Sequence, residues 1–449
     1  MANTAIRVDR TVPFGTLIVP LMVARPSLDN AFGLVKVPVG GASLSLGFLF
    51  NIVIVLAAAM LAGHALLVNR KQQRAVLTVA GIWGPFVFAS LIATSYSPVP
   101  IEAIQLTFNF VTIGAVAFIG MTYGATLSRS KLTAIVAASG VVPVFFGLSQ
   151  VVLGLSGQRL SSTFGHPNIF AFFCLLYICF LFHAQLSGYV RRRAGIVVIW
   201  IFIGATALAL LFTGTRSAFL STLLFLLFYS ALRKPWLVIP LSLVPLLAMM
   251  VPVVADRITD AISGSTPVSY DYFVSAMRGD VLDAGDLALD SGTWRRYLWQ
   301  AAWPWIEQRP ALGYGMGSFA FYSGNFFPLS SDHGSGAHNV FVQLLFEGGV
   351  FLLATYLLIY LLTASIFARH FNKDRYAAVF VFLIIIAFSL ASLSDNMLNY
   401  LSVNISMWFI VSVFIGSVIR PLYSGYVGPA LLTYRLGPRM KEGEEVECP

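Results

Sequence analysis

Charge is what this chain has least of. Asp, Glu, Lys and Arg make up only 10% of its 449 residues, where a soluble domain carries roughly 25%. A water-facing globule is therefore excluded. The 58% share of hydrophobic residues points instead to a polytopic membrane protein. Cysteine is scarce too. Cys174 and Cys179 share one apolar run and Cys448 lies in the tail, so no disulfide framework is expected on an outward face. The N-terminal apolar run lacks a small-residue cleavage site, which argues against a cleavable signal peptide. Apart from the acidic stretch Glu442 to Glu447, neither a repeat nor a low-complexity tract is visible. Metal-site spacing is also missing. Asp280, Asp283, Asp286 and Asp290 fit no calcium loop, and Asp332, His333 and His338 lack the number and spacing of zinc ligands.

Long apolar runs are what the chain does have. A bilayer core needs about 17–25 apolar residues in a helix. Eleven runs satisfy this, near 44–68, 75–95, 101–124, 132–153, 167–187, 195–213, 217–232, 235–254, 339–366, 376–394 and 402–419, and Pro13 to Ala24 is a shorter twelfth. An all-α integral membrane protein with about 12 transmembrane helices is expected. Its organisation is nine helices in residues 1–255, a large loop over 256–337, three more helices in 338–420 and a cytoplasmic tail over 421–449.

Cations orient this array. Placing Arg7 and Arg10 inside puts alternate loops inside, and 19 of the 28 Lys and Arg residues then lie on that side, as the positive-inside rule requires. The long loop falls outside. Of the nine remaining cations, eight are arginine: Arg25, Arg159, Arg216, Arg257, Arg278, Arg295, Arg296 and Arg309. Lysine would serve solubility equally well; a planar fork that grips phosphate oxygens in pairs is particular to arginine. The net charge of +9 is accounted for by cytoplasmic loops and implies no nucleic acid.

Polar residues crowd at four outward places. The first, Arg159 to Asn168, contains Gly165-His166-Pro167-Asn168 and leads into a span. A helix start with free N–H groups suits an anion, and a polar-capped turn is the equal alternative. The second is Thr213-Gly-Thr-Arg216-Ser217, where an arginine at membrane depth is either functional or snorkelling to headgroups. The third is Trp294-Arg295-Arg296-Tyr297-Leu298-Trp299, with apolar residues at 294, 298, 301, 302 and 305 suited to a helix face lying on the membrane interface. The glycines at 313, 315 and 317 follow it. No strand–turn–helix unit surrounds them, so they are read as a bend permitting close backbone approach rather than a dinucleotide site. The fourth is His338-Asn339, with Glu347-Gly348-Gly349 beyond. A histidine in a first helical turn feels the positive end of the helix dipole, which favours the neutral base.

Taken in order, these motifs resemble the bacterial O-antigen ligase and Wzy-type polysaccharide polymerase superfamily. The resemblance rests on Gly165-His166-Pro167-Asn168, Thr213-Gly214-Thr215-Arg216-Ser217, Arg295 with Trp299, Pro310-Ala-Leu-Gly313-Tyr-Gly315 and Ala337-His338-Asn339. It implies a GT-C-like helical fold and a glycosyltransferase of the bacterial inner membrane, working at its periplasmic face without metal or other cofactor. The donor would be an undecaprenyl-diphosphate-linked glycan. The acceptor would be a saccharide, either lipid A core in lipopolysaccharide assembly or a growing glycan in exopolysaccharide biosynthesis. By motif position, His338 is the base and Arg216 and Arg295 bind the lipid diphosphate. Arg159 and Arg296 join that set from the residue reading, with His166, Asn168 and Asn339 as secondary substrate contacts. The ligase pattern places Gly, Thr or Tyr where this chain has Leu352, so ligase and polymerase both stand. A flippase of the lipid-linked glycan and a protein O-oligosaccharyltransferase are the alternatives.

Overall fold

The computed structural model describes residues 22–39, 42–68, 70–124, 127–155, 159–245, 270–271, 275, 291–327, 329–330 and 334–423. Outside these lie residues 13–21 of the shortest expected span, residues 246–254 of the ninth, Arg257, Arg278, the aspartates at 280–290, Asp332, His333 and the tail from 424.

The described chain is nearly all helical. After a helical turn at 22–27, α1 (Asp29–Leu34) leads into a small antiparallel hairpin, β1 (Lys36–Val39) with β2 (Ala42–Ser45), in which Lys36 pairs with Ser45. Long helices follow: α2 (Leu46–Val68), α3 (Arg70–Ser95), α4 (Pro100–Gly124), α5 (Arg129–Val152), α6 (Pro167–Leu186), α7 (Arg193–Phe212) and α8 (Arg216–Arg233), then the short α9 (Val238–Ser242). The loop contributes α10 (Ser291–Gln308) and α11 (Ser318–Phe326), and α12 (Val340–Arg369), α13 (Arg375–Ser392) and α14 (Leu401–Tyr423) close the bundle. Among the described residues nine helices are long and apolar enough to cross a bilayer: α2 to α7 and α12 to α14. This is fewer than the twelve expected. One missing span falls largely outside the described residues, another is described only over 235–245, where the short α9 stands, and α8 carries an arginine at each end of an 18-residue helix. The chain is an all-α, multi-pass membrane protein.

Helix starts are set by local chemistry. Asn339 caps α12 by accepting from the N–H groups of Phe341 and Val342, and Asp374 caps α13 by accepting from that of Ala377. Such caps satisfy donors that a helix start leaves unpaired. In lipid no water substitutes for them. The two most enclosed spans are α6, 83% buried, and α14, 94% buried. Small residues let α14 pack against α4: a Cβ on Gly120 would sit 2.8 Å from the Phe409 carbonyl, and one on Gly124 would strike that of Val413. This is the small-xxx-small contact by which membrane helices associate without a hydrophobic driving force.

The bundle has two chemically distinct ends. At one, Arg129 pairs with Asp374 at 2.9 Å and donates to Ser417, while Arg233 donates to the Leu186 carbonyl. The other end collects the polar turns before α6, between α7 and α8, before α12 and between α13 and α14. Charge distribution along the sequence had already assigned these groups to opposite sides.

The loop helices pack on this second end. The face of α10 expected to rest on the membrane instead packs on protein: Leu298, Ala301 and Ala302 join Phe319, Phe327 and Phe346 in a second apolar core, with Trp294 and Trp305 against it and Tyr297 alongside. Trp303, off that face, is half exposed. Below it α12 breaks at Gly349, whose φ of 64° and ψ of −165° lie where only glycine is at ease. The loop backbone repairs the break. Tyr314 and Gly315 N–H donate to the carbonyls of Phe346 and Glu347 at 3.0 and 2.7 Å, and Val350 N–H donates to Pro310 at 2.8 Å. Gly313, Gly315 and Gly317 all have positive φ, and a Cβ on Gly313 would collide with the Phe346 carbonyl. The glycine tract is a close-approach bend, as read from the sequence. It supplies partners to a broken membrane helix, the condition under which such a break is tolerated.

Candidate functional site

Asp395 organises this second end, and sequence reasoning overlooked it. It lies in the turn between α13 and α14 and is 2% exposed. Its Oδ1 accepts from the Tyr400 hydroxyl at 2.7 Å and from the Asn396 N–H at 2.8 Å, and its Oδ2 accepts from Asn168 Nδ2. His338 Nδ1 faces the same Oδ1 at 3.7 Å. Burial pushes the carboxyl up, but His338, Tyr400 and the Asn396 N–H together outweigh it and hold Asp395 below the ordinary aspartate range. An anion is thus kept in a poorly hydrated place by donors aimed at it.

His338 is held by backbone geometry. It sits one residue ahead of the Asn339 cap, so it precedes the first turn of α12 rather than occupying it as expected. Its φ of 48° is left-handed, a conformation costing a non-glycine residue about 1–3 kcal/mol and found where surroundings over-determine it. Here they do. The Trp299 indole donates to the Ala337 carbonyl at 2.7 Å, Asn339 N–H donates to Asn396 Oδ1 at 3.1 Å, and the Trp294 ring meets the imidazole edge-on at 5.7 Å. With Nδ1 turned to the buried carboxylate, the opposite nitrogen belongs to the open side of a ring that is 38% exposed.

Asn168 joins this pair to the turn between α7 and α8. Arg159 donates to Asn168 Oδ1 at 2.6 Å, to the Thr213 carbonyl at 2.8 Å and to Thr215 Oγ1 at 3.0 Å, and the Thr215 hydroxyl donates to Asn168 Oδ1 at 3.1 Å. Two donors on Oδ1 fix the Asn168 amide, leaving Nδ2 for Asp395. Arg159, expected to grip a diphosphate, is therefore built into the wall as a tie between α6 and the 213–215 turn. His166 caps α6 by accepting the Asn168 N–H on Nδ1 at 3.1 Å, so its neutral form carries the proton on Nε2. Burial lowers its pKa, Asp395 opposes this, and Arg159 and His338 add to the lowering. The two histidines and Asp395 thus share one electrostatic neighbourhood.

Arg295, on α10, is half-buried and enters the same neighbourhood. Burial lowers its pKa, Asp395 and Tyr400 oppose, and Arg216 lowers it further. Charges on Asp395 and Arg216, from two other elements, thus both bear on its guanidinium. Arg216 is exposed at the start of α8. Arg296 departs from the expected set: it is exposed, with its guanidinium 5.7 Å from the Tyr297 ring centre. Asn339 serves as helix cap and backbone tie. The sequence did contain a signal for Asp395. The outward turns were nearly free of charge, and Ser394-Asp395-Asn396 places an acid in a short one, between the last two spans.

The arrangement can do acid–base work on a hydroxyl and hold an anion beside it. Among the described residues no three His, Cys, Asp or Glu side chains gather as ligands for a metal ion. Residues 198–357 match a family described as O-Antigen ligase. No curated protein matches the chain. The matched stretch runs from α7 into α12 and carries Arg216, Arg295, Arg296, His338 and Asn339; Arg159, His166, Asn168 and Asp395 come to the site from outside it. Over that stretch, about a third of its length, the chain is similar to the O-antigen ligase family, and its motifs gather at one end of a membrane bundle.

Proposed function

We propose that the protein is a metal-independent glycosyltransferase of the inner membrane that transfers an undecaprenyl-diphosphate-linked glycan to a saccharide hydroxyl at the periplasmic face. The supporting observation is the facing pair of His338 and Asp395, 3.7 Å apart, with Arg295 and Arg216 beside it. In this reading His338 takes the proton of the acceptor hydroxyl through the nitrogen turned away from Asp395. Asp395 orients the ring and stabilises the imidazolium that forms; such contacts commonly tighten once substrate binds. As the hydroxyl attacks the anomeric carbon, the bond to the diphosphate breaks and negative charge grows on the leaving oxygen. In this reading Arg216 and Arg295 receive that charge, and donors held where charge develops lower a barrier most. Arg159 and Asn168 hold Asp395 in place, and His166 offers Nε2–H to a substrate oxygen.

The test uses purified protein in lipid nanodiscs with EDTA, supplied only with an undecaprenyl-diphosphate-linked repeat unit and read on a gel. A ladder of longer glycans identifies a polymerase. A single product appearing only when lipid A core is added identifies a ligase. Movement of the substrate across a sealed vesicle with no new glycosidic bond would replace the proposal with a flippase.

A further inference from the structure

Beside the candidate site lies a cavity of about 490 Å³, within the roughly 300–1,000 Å³ of small-ligand sites. The proposed chemistry leaves it unused. Its walls come from α1, the start of α2, the outer part of α4 and the start of α14, and they include Asp29, Asn30, Gln105 and Asn109, with Phe32 and Phe48 as aromatic surfaces. Its surroundings are polar and tied to the candidate site. Arg25, 8% exposed, pairs with Asp29 at 3.4 Å, yet its Nε and Nη1 have no hydrogen-bond partner among the described residues. Asn51, 2% exposed, donates to Asn109 Oδ1 at 3.1 Å while its own Oδ1 has no partner. Tyr400 lines the cavity, and its hydroxyl is the one that donates to Asp395.

The amides of Asn30, Gln105 and Asn109 and the carboxylate of Asp29 put donors and acceptors together on the cavity's lining, while the unpartnered atoms of Arg25 and Asn51 are sealed behind it. A phosphate would satisfy only the donors and a cation only the acceptors. Hydroxyl groups do both, and aromatic faces suit the apolar side of a sugar ring. We infer that this cavity is a saccharide subsite, holding a ring of the glycan whose reacting end lies beyond Tyr400 at His338. The inference rests on the transferase reading for the identity of the chain bound there, which enters either with the donor or with the acceptor.

The test measures binding apart from turnover. Protein in nanodiscs is titrated with lipid-free oligosaccharide released by mild acid from the producing cell's own surface polysaccharide, and followed by saturation-transfer NMR. Two variants alter the cavity: Gln105→Trp, at an exposed position, fills it, and Asn109→Leu removes an amide from its wall. Binding by the parent protein that weakens at least about tenfold in both, the loss expected from one or two hydrogen bonds, supports the subsite. Arg216→Ala keeps that binding. In turnover assays a raised KM for acceptor or for donor names which chain is held. Turnover by the parent protein without oligosaccharide binding, or with KM for both substrates unmoved in Gln105→Trp, overturns the subsite and leaves the transferase reading standing. Cavity-dependent binding without any turnover has the opposite meaning.

Discussion

Asp395→Asn is the substitution that separates a working His338–Asp395 pair from a merely structural one. The side chains are isosteric, so packing of a residue 2% exposed is preserved while its charge is removed. Hydrogen bonding is not preserved. Arg159 and Thr215 hold Asn168 Oδ1, so Asn168 cannot turn its amide over. One orientation of the new amide opposes its NH₂ to Asn168 Nδ2; the other opposes it to the Tyr400 hydroxyl and the Asn396 N–H. Either leaves a buried donor unmatched, at about 1–3 kcal/mol. Loss of a positioned base contributes a further factor, typically about 10²–10⁴ in rate. The expected result is a kcat lowered at least about 100-fold with KM for the lipid-linked donor within about threefold, since the arginines remain. Turnover by gel, with thermal unfolding followed in parallel, separates this from gross misfolding. A folded Asp395→Asn variant turning over within about threefold of the parent would refute the pairing.

Arg216→Lys should lose nearly as much donor turnover as Arg216→Ala, because an ammonium cannot reproduce the two-toothed grip on a diphosphate; full activity of the Lys variant would remove that role. Arg296→Ala should change turnover by no more than about twofold, the ordinary scale for an exposed side chain whose nearest described partner is the Tyr297 ring, and a loss matching that of Arg295→Ala would show that it reaches the substrate. Gly349→Ala should lower thermal stability by more than the about 1–3 kcal/mol of backbone strain alone, because its Cβ would also strike the Ala311 backbone. Gly204→Ala, with open space around it, is the matched control, and equal melting temperatures for the two would contradict the account of the helix break.

By itself the sequence determined the solvent of this protein, the approximate number and position of its spans, and which loops share an end of the bundle. These follow from one-dimensional quantities: run length against bilayer thickness, and the placement of lysine and arginine. It also marked His338, Arg216 and Arg295, because charge or a base at the mouth of an apolar run is costly enough to be conspicuous. Three things waited for the tertiary structure. Asp395 reaches His338 from far along the chain, between the last two spans, and an acid in a short turn carries no label saying which other turn it meets. Arg159 and Arg295 read alike as outward cations; packing alone ties the first to Asn168 and Thr213 and sets the second toward Asp395. The apolar face of α10 fitted lipid and protein equally well by periodicity, and the proximity of Phe319 and Phe346 decided for protein. Side-chain partners are properties of how helices pack, which depends on glycine contacts such as Gly120 and Gly124 against α14 and on a repaired break at Gly349, and neither is written in hydropathy.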